Sequence, residues 1–581
     1  MYVIICGLGQ VGYKVLEEFV KLEEEIVVIS TEIKKDREKL LRKNNIKSVI
    51  GDARELDILR EAGIDNARAL IAVTGNDVVN IEISLNAKSL NSSISTIVRM
   101  YDEVLADRIE SGFGIQRALS TPALAASAYA SAVLSDKICE FLRFGKQNIF
   151  LFEWIINERS TLLNKTVKQC RQYLDIEPIL IKSNMAEQAE IPHESYKFEL
   201  RDKVLFFSTS TELLKLTGEK FKGKYYKKQA VNPLGDKIED VFSGIIRYIK
   251  SIPGTIRALI TIFSLFILVS AWIFHKSMGW SVLDSFYFVL STSATVGYGD
   301  FNLKHAVPWV KLFGCLVIIS GPAFIAGIFG LFIEMMVDSK VNEYFGLNKQ
   351  KLKNHIVVAG LGNLGYRIAD SLTYVGEKVV AIEKKAESEA RTIMKGKIPI
   401  ITGDARSMQI LGRIGIDKAK ALVAVTDDAM TNLGIALHAK EYNPEIKTVI
   451  RIFDREFGQR IKDNYGIDSV LSSSQLVSST FSAVLIDQDV VKSFWWNNNH
   501  IVILIKDIKR KSFLRGLNKQ EATERYQIVP IICRNKHGYK QLDDHYKIAE
   551  GDQVVIVSTY EIIKKLNEEP NNLGQTHQFI C

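Results

Sequence analysis

Two stretches of this 581-residue chain carry glycines in a spacing suited to holding phosphate: Gly7-Leu8-Gly9-Gln10-Val11-Gly12 and Gly360-Leu361-Gly362-Asn363-Leu364-Gly365. Each follows an apolar, strand-like run and precedes a helical pattern, the context that makes this spacing meaningful. The glycines permit a tight turn and a close main-chain approach, and the helix amino terminus behind them stabilises a phosphate. Eighteen residues after Gly365, Glu383 ends the next predicted strand, where a carboxylate accepts hydrogen bonds from ribose hydroxyls. An adenosine-containing ligand is expected there. The first copy has Ser30 at that place, followed by Thr31 and Glu32, so its ribose acceptor is missing or displaced. Whether that copy takes another nucleotide or none stays open at this point.

Asp52 and Asp404, in a repeated Gly-Asp-Ala-Arg, are expected on the adenine side of each pocket, with a helix amino-terminal cap as the alternative. Arg99 and Arg451 end later strands at the same edge, where they meet phosphate or an interface carboxylate. A third stretch, Thr295-Val296-Gly297-Tyr298-Gly299-Asp300, alternates two glycines with larger residues. Its main chain is free to adopt angles that turn successive carbonyls toward one axis.

The elements that position these groups come from an internal repeat. Gly51-Asp52-Ala53-Arg54 recurs as Gly403-Asp404-Ala405-Arg406, Ala72-Val73-Thr74 as Ala424-Val425-Thr426, and Val98 to Asp102 as Ile450 to Asp454. Within each copy, short β-branched runs alternate with helical-period segments, which predicts a parallel sheet covered on both faces. A shorter mixed segment follows each copy and reads as a small α+β subdomain. The fold class expected is therefore multidomain: two Rossmann-like α/β domains, each with its α+β subdomain, on either side of a membrane segment.

Thr255 to Phe274 and Val307 to Val337 are apolar runs long enough to cross a hydrocarbon core of roughly 30 Å as helices. Arg247, Lys250 and Arg257 precede the first, and Lys340, Lys349, Lys351 and Lys353 follow the second, which by the positive-inside rule puts both ends in the cytoplasm. The apolar segment Leu283 to Thr292 between them is expected to form a short helix entering partway, its carboxyl end favouring a cation. The chain's net charge of +8 comes from scattered Lys and Arg, densest at Lys215 to Lys228 and Lys340 to Lys353 on both sides of the apolar region instead of on an aromatic-studded basic face, so no nucleic-acid partner is expected. Six scattered cysteines show no zinc spacing, and no metal-ligating set is expected. Nothing at Met1 resembles a cleavable signal, and the amino terminus is expected to begin a domain inside the cell.

At Thr295 to Asp300 the sequence resembles the potassium-channel family, whose selectivity filter is Thr-Val-Gly-Tyr-Gly followed by Asp. The resemblance implies a homotetramer in lipid whose ring of carbonyl oxygens replaces the hydration shell of K+, with Val296 and Tyr298 bracing the filter and the Thr295 hydroxyl adding an inner oxygen. Ala294 stands where many members have a second Thr. Gly321 falls at the inner-helix hinge glycine of the family, and with Pro322 it predicts a bend. Glu334 and Asp338 are placed to form carboxylate rings at the inner mouth. The repeats resemble the regulator-of-potassium-conductance (RCK) domain, over about residues 1 to 217 and 354 to 567. That implies NAD(H) or an adenine nucleotide as regulatory ligand at Gly7, Gly9, Gly12, Asp52, Gly360, Gly362, Gly365, Glu383, Asp404 and Arg451, a divalent cation as a further effector, and eight such domains per assembly.

The organisation expected is 1–140 Rossmann-like and 141–217 subdomain (first copy), 218–253 linker, 254–338 pore, 339–353 gating linker, 354–495 Rossmann-like and 496–567 subdomain (second copy), and 568–581 tail. The function expected is a ligand-gated potassium-selective channel. An NAD-dependent oxidoreductase would need a positioned proton donor, and the nine His form no constellation. A transporter's regulatory subunit would not need the filter. No Arg-rich helix precedes the pore to sense voltage.

Overall fold

A computed structural model describes residues 2–209 except 175, 185 and 187, residues 254–344, and residues 352–568. The chain divides into two compact units, Met1–Gly223 with Lys349–Cys581, and Lys224–Asn348.

In the first unit, β1 (Val3–Cys6), β2 (Ile26–Ser30), β3 (Lys47–Ile50), β4 (Ala69–Ala72), β5 (Ser95–Met100) and β6 (Arg117–Ser120) form a parallel sheet in the order β3-β2-β1-β4-β5-β6. β1 and β4 are buried along their whole length, because helices cover both faces and leave no side for polar residues. The strand order reverses between β1 and β4, which opens a crevice beyond their carboxyl ends. An antiparallel sheet follows, β7 (Ile138–Phe144), β8 (Gln147–Ile155), β9 (Glu177–Lys182) and β10 (Lys203–Ser208), in the order β7-β8-β10-β9.

The second copy repeats the plan. β11 (Ile356–Ala359), β12 (Val379–Glu383), β13 (Ile400–Thr402), β14 (Ala421–Ala424), β15 (Lys447–Arg451) and β16 (Ser469–Leu471) are ordered β13-β12-β11-β14-β15-β16. β17 (Val490–Trp496), β18 (Asn499–Asp507), β19 (Val529–Asn535), β20 (Gly538–Gln541) and β21 (Gln553–Thr559) make the antiparallel sheet β17-β18-β21-β19-β20. These antiparallel sheets open at Ile138 and Val490, each on a strand that turns back through a two-residue hairpin. Gly145 has φ +58° after β7, and Asn497 and Asn498 have φ +46° and +66° after β17, the left-handed pattern that matches strand twist in tight hairpins.

The two copies pack together. The helix Thr121–Leu134 lies on helices Asn363–Tyr374 and Ser473–Ile486, and Gln10–Lys21 also lies on Ser473–Ile486. Phe19, Tyr129, Ile368, Leu372 and Phe481 share one core. A second shared core joins Leu151 and Phe207 to Ile501, Ile503 and Val557. Polar contacts lock the register: Tyr129 Oη donates to Leu471 O at 2.9 Å, Trp496 Nε1 to Glu153 Oε2 at 2.8 Å, and Lys492 Nζ lies 3.2 Å from Glu140 Oε2. The amino-terminal copy therefore docks on the carboxyl-terminal copy of the same chain.

In the second unit, helix Gly254–Met278 has mean hydropathy 2.2 and Pro308–Leu331 has 2.3. Only 22% and 17% of those windows are buried, the opposite of a soluble core helix, and Leu265, Trp272, Leu312 and Ile319 stand exposed. At 1.5 Å per residue either helix is about as long as a bilayer's hydrocarbon core is thick. The inner helix runs Pro308–Tyr344 without interruption at Pro322, so the first residues of the stretch expected as a gating linker are still helical. The segments 210–253, 345–351 and 569–581 lie outside the described residues, and with them Arg247, Lys250, Lys349, Lys351, the first linker and nearly all of the tail. The side chains of Asp338 and Lys340 lie outside them too.

Candidate functional site

The loop between the two long helices, the candidate pore loop, is built from its helix outward. Ser281 caps the helix Val282–Ser293: its Oγ accepts the Asp284 N–H at 3.0 Å and donates to Asp284 Oδ2 at 2.7 Å. That fixes where the helix starts; it runs for twelve residues to Ser293. At that end Ser291 O accepts the N–H groups of Val296 (2.9 Å) and Gly297 (3.3 Å), while Thr292 O accepts that of Thr295 (3.1 Å). With the amides turned back onto the helix, the carbonyls are left to face elsewhere.

Backbone angles complete the pattern. Thr295, Gly297 and Gly299 have φ of +60°, +53° and +82°, whereas Val296 and Tyr298 keep negative φ. Alternation of left- and right-handed residues turns successive carbonyls to the same side of the strand. Glycine bears this without penalty, but Thr295 stores about 1–3 kcal/mol of strain, the kind of cost found at functional loops. Aromatic rings surround the loop: Tyr298 lies parallel to Tyr287 at 6.4 Å, and Trp280 packs on Phe288 and Phe301, each at 5.2 Å. Val296 is exposed in the single chain.

Gly321 belongs to this site by packing. A Cβ there would fall 2.5 Å from Ser293 Cα, so the inner helix passes against the end of the pore helix only because residue 321 has no side chain. Glu334 is exposed on the same helix.

In the second copy, Gly360 has φ +92° and makes the turn, and a Cβ on Gly365 would stand 1.9 Å from Gly360 O. Gly362 differs: φ is −79° and nothing lies within 4 Å of where its Cβ would be. It begins the helix Asn363–Tyr374 with no side-chain cap, so first-turn amides face an open space. Glu383 stands at the rim, accepting the Leu361 N–H at 2.7 Å through Oε2 and the Lys385 N–H at 2.9 Å through Oε1. The residues present thus fit an adenosine diphosphate group: open turn, uncapped amides and a ribose-height carboxylate. The first copy reproduces the turn with Gly7 (φ +97°), Gly9 and Gly12, again with open space at Gly9 and no side-chain cap.

Asp404 takes Arg406 Nε at 3.1 Å and Nη2 at 2.7 Å as well as the Arg406 N–H at 3.0 Å. These hydrogen bonds hold its carboxyl well below the ordinary range, and Asp52 is held down by Arg54 in the same way. Both carboxylates brace a local Asp-x-Arg turn following the third strand of their sheets. Arg99 Nη1 donates to Thr74 O at 3.1 Å and lies over the Tyr101 ring, while Arg451 Nη1 meets Asp427 at 3.2 Å and lies over Phe453. Thr74 and Thr426 touch the turn glycines, so both arginines stand at the crevice edge. The Nε atoms of both have no partner among the described residues.

Sequence reading missed Asn80 and Asn432, which are fully buried. Asn432 Oδ1 accepts the Thr426 N–H at 2.8 Å, and its Nδ2 donates to Arg451 O at 3.0 Å; Asn80 does the same with Thr74 and Arg99. Each ties together two strand ends beside a glycine turn. Their equal spacing from Thr in both copies was the available signal. Among the described residues no group of three metal-ligating side chains occurs.

The TrkA-N domain family matches residues 3–121 and 356–473, and the ion-channel family matches residues 262–338. Potassium channel protein 1 of Methanocaldococcus jannaschii is 31% identical over 198 residues, 33% of this chain and 59% of that one. The voltage-gated potassium channel Kch of Escherichia coli is 27% identical over 261 residues, 42% of this chain and 62% of that one. An uncharacterised protein of Methanothermus fervidus is 33% identical over 210 residues, 35% of this chain and 32% of that one. The chain thus spans from a third to three fifths of the length of these relatives. Among solved structures, the GsuK channel has a TM-score of 0.48 at 12% identity, covering 98% of this chain and 79% of its own, and the GsuK channel bound to NAD has 0.47 at 13%, covering 98% and 78%. With a TrkA-N domain on each side of an ion-channel domain, the chain has the domain types of the RCK-containing potassium channels and is similar to potassium channels of Methanocaldococcus jannaschii and Escherichia coli.

Proposed function

We propose that four copies of the chain form a potassium-selective pore whose opening is set by nucleotide binding at the glycine turns, with the paired RCK domains and both termini in the cytoplasm. The alternating backbone of Thr295 to Gly299, its amides held by the end of the pore helix, supports this reading most strongly. A lone chain offers one strand of carbonyls, and a desolvated cation needs a ring of them, so the loop has a purpose only around a symmetry axis. Val296 and Tyr298, exposed in one chain, then have neighbours to pack on. K+ is the permeant ion; membrane lipid surrounds the two spans.

Nucleotide control follows from the open space at Gly362 and from Glu383 at its rim. A ligand shifts gating only by its differential affinity for open and closed rings. Asp52 and Asp404 support the pocket through their Arg-braced turns, Arg451 offers charge at the phosphate edge, and Gly321, Pro322 and Glu334 lie on the helix that must move. Purified protein in liposomes should pass K+ at least about 100-fold faster than Na+ and respond to NAD(H), ADP or ATP. Equal flux of Na+ and K+ would sink the pore assignment.

A further inference from the structure

The two pockets differ where a Rossmann site meets the adenosine ribose. In the second copy the strand ends on Glu383, and Glu387 and Glu389 follow. In the first copy the aligned residues are Ser30, Lys34 and Asp36, and Lys35 and Arg37 stand opposite Ser388 and Ala390. Lys384 and Lys385 stand opposite Thr31 and Glu32, so over the eight residues from the strand end the second copy carries three carboxylates against two lysines, and the first carries three cations against the two carboxylates Glu32 and Asp36.

The structure gives this exchange a geometry. Ser30 is buried, and its Oγ donates to Glu32 O at 2.7 Å, closing the strand end with no carboxylate in the space that Glu383 fills. Among the described residues no side chain takes the Leu8 N–H, the counterpart of the amide that Glu383 holds. The helix Lys35–Lys43 opens there on Lys34 with no side-chain cap. Arg37 lies 5.7 Å over the ring of Tyr13, the residue after Gly12 on the helix that begins at the glycine turn. A guanidinium is thereby brought from the rim onto the phosphate helix. Arg99, buried and with its Nε unpartnered, adds charge beside Gly7 on the opposite side of the turn.

We propose that the first copy binds a dinucleotide carrying a phosphate on the 2′ position of its adenosine ribose, while the second binds the unphosphorylated form. A 2′-phosphate would be repelled by Glu383, whereas a small Ser30 leaves room for it, and guanidinium with ammonium groups gives charge-assisted hydrogen bonds to phosphate. The proposal rests on the glycine turns being nucleotide sites. One channel would then read two chemically distinct pools through one pair of domains.

Calorimetry on the full chain in nanodiscs, with NADP+ and NAD+ as probes, tests this. Gly9→Asp and Gly362→Asp each put a carboxylate into one open phosphate space without backbone strain, and thermal melting checks that both variants fold. The Gly362→Asp protein should bind NADP+ at least about 10-fold more tightly than NAD+, and the Gly9→Asp protein should show the reverse. Adding Ser30→Glu and Arg37→Ala to Gly362→Asp should abolish the NADP+ preference. Equal affinities, or an NAD+ preference, in Gly362→Asp overturns the proposal. So does a Gly362→Asp protein that binds neither while Gly9→Asp still binds NAD+, which leaves the nucleotide reading of the second copy intact. A wild-type chain that binds neither removes that reading and the proposal together.

Discussion

At the scale of single residues, the glycines of one motif do unlike jobs. Gly360→Asp, the substitution the motif first suggests, places a side chain at φ +92° with its Cβ 3.0 Å from Thr426, so a lost ligand response would be mixed with damage to the turn. Gly362→Asp separates the two effects. It should abolish the response to NAD(H) while leaving the melting temperature and the K+ over Na+ ratio unchanged; an NAD(H) response that persists removes the second copy from regulation. His500 makes a second prediction. It is stacked between Trp495 at 4.9 Å and Tyr560 at 5.0 Å, and burial pushes its pKa down to about 3. The unfolded chain titrates this ring near 6.5, so between about pH 6.5 and 3 the unfolded state binds the extra proton. Stability conferred by a neutral His500 is therefore whole above that window and lost on acidification, by up to about 1.4 kcal/mol per pH unit. Thermal melts of wild type and His500→Phe should diverge in slope between pH 6.5 and 4. Parallel curves would show that the ring titrates normally.

Elements obey constraints that no single residue shows. The pore helix is held at one end by Ser281 and at the other by contact with Gly321, and the loop hangs from its last carbonyls. Gly321→Ala must displace main chain, because the atom in the way is Ser293 Cα and cannot rotate aside. The expected result is loss of potassium selectivity or of tetramer assembly, read by paired K+ and Na+ flux and by native electrophoresis. Gly330→Ala, where nothing lies within 4 Å among the described residues, should leave both unaltered. A Gly321→Ala channel with intact selectivity but altered open probability would instead point to a hinge role.

For the whole molecule, the consequence of the repeat is that two domains separated by the pore in sequence become one unit. Their contact buries charge: Lys519 Nζ lies 2.6 Å from Glu177 Oε2 with both side chains 5% exposed, and Arg171 meets Glu177 Oε1 at 2.7 Å. Burial lowers the Lys519 pKa despite the partner, a sign that desolvation outweighs the pairing. Removing the shared carboxylate should therefore cost more than removing it together with Lys519. Glu177→Leu alone is expected to destabilise the paired domains by about 3–5 kcal/mol, Lys519→Met, which leaves Glu177 paired to Arg171, by less, and the double variant by less than Glu177→Leu. Denaturant titration of the four proteins gives the coupling, and additive losses would show that the pair is solvated and incidental.

The sequence by itself determined the repeat, the two apolar spans and the residue types at each turn, because those depend on local periodicity and on what glycine alone can adopt. It located the short helix between the spans to within a residue at either end, since Ser281 and the Thr295 to Gly299 loop bracket it. The place of Glu383 at the end of its strand was legible from its spacing, but not its hold on the Leu361 amide. Only the tertiary structure decided that the copies share a core, that Asn80 and Asn432 clamp the strand ends, and that Gly321 is a contact with Ser293. Each of these joins residues far apart in the chain, and a one-dimensional pattern carries no distance between them. The Asn497-Asn498 turn, which joins β17 to β18, needed the register of the two strands to become visible.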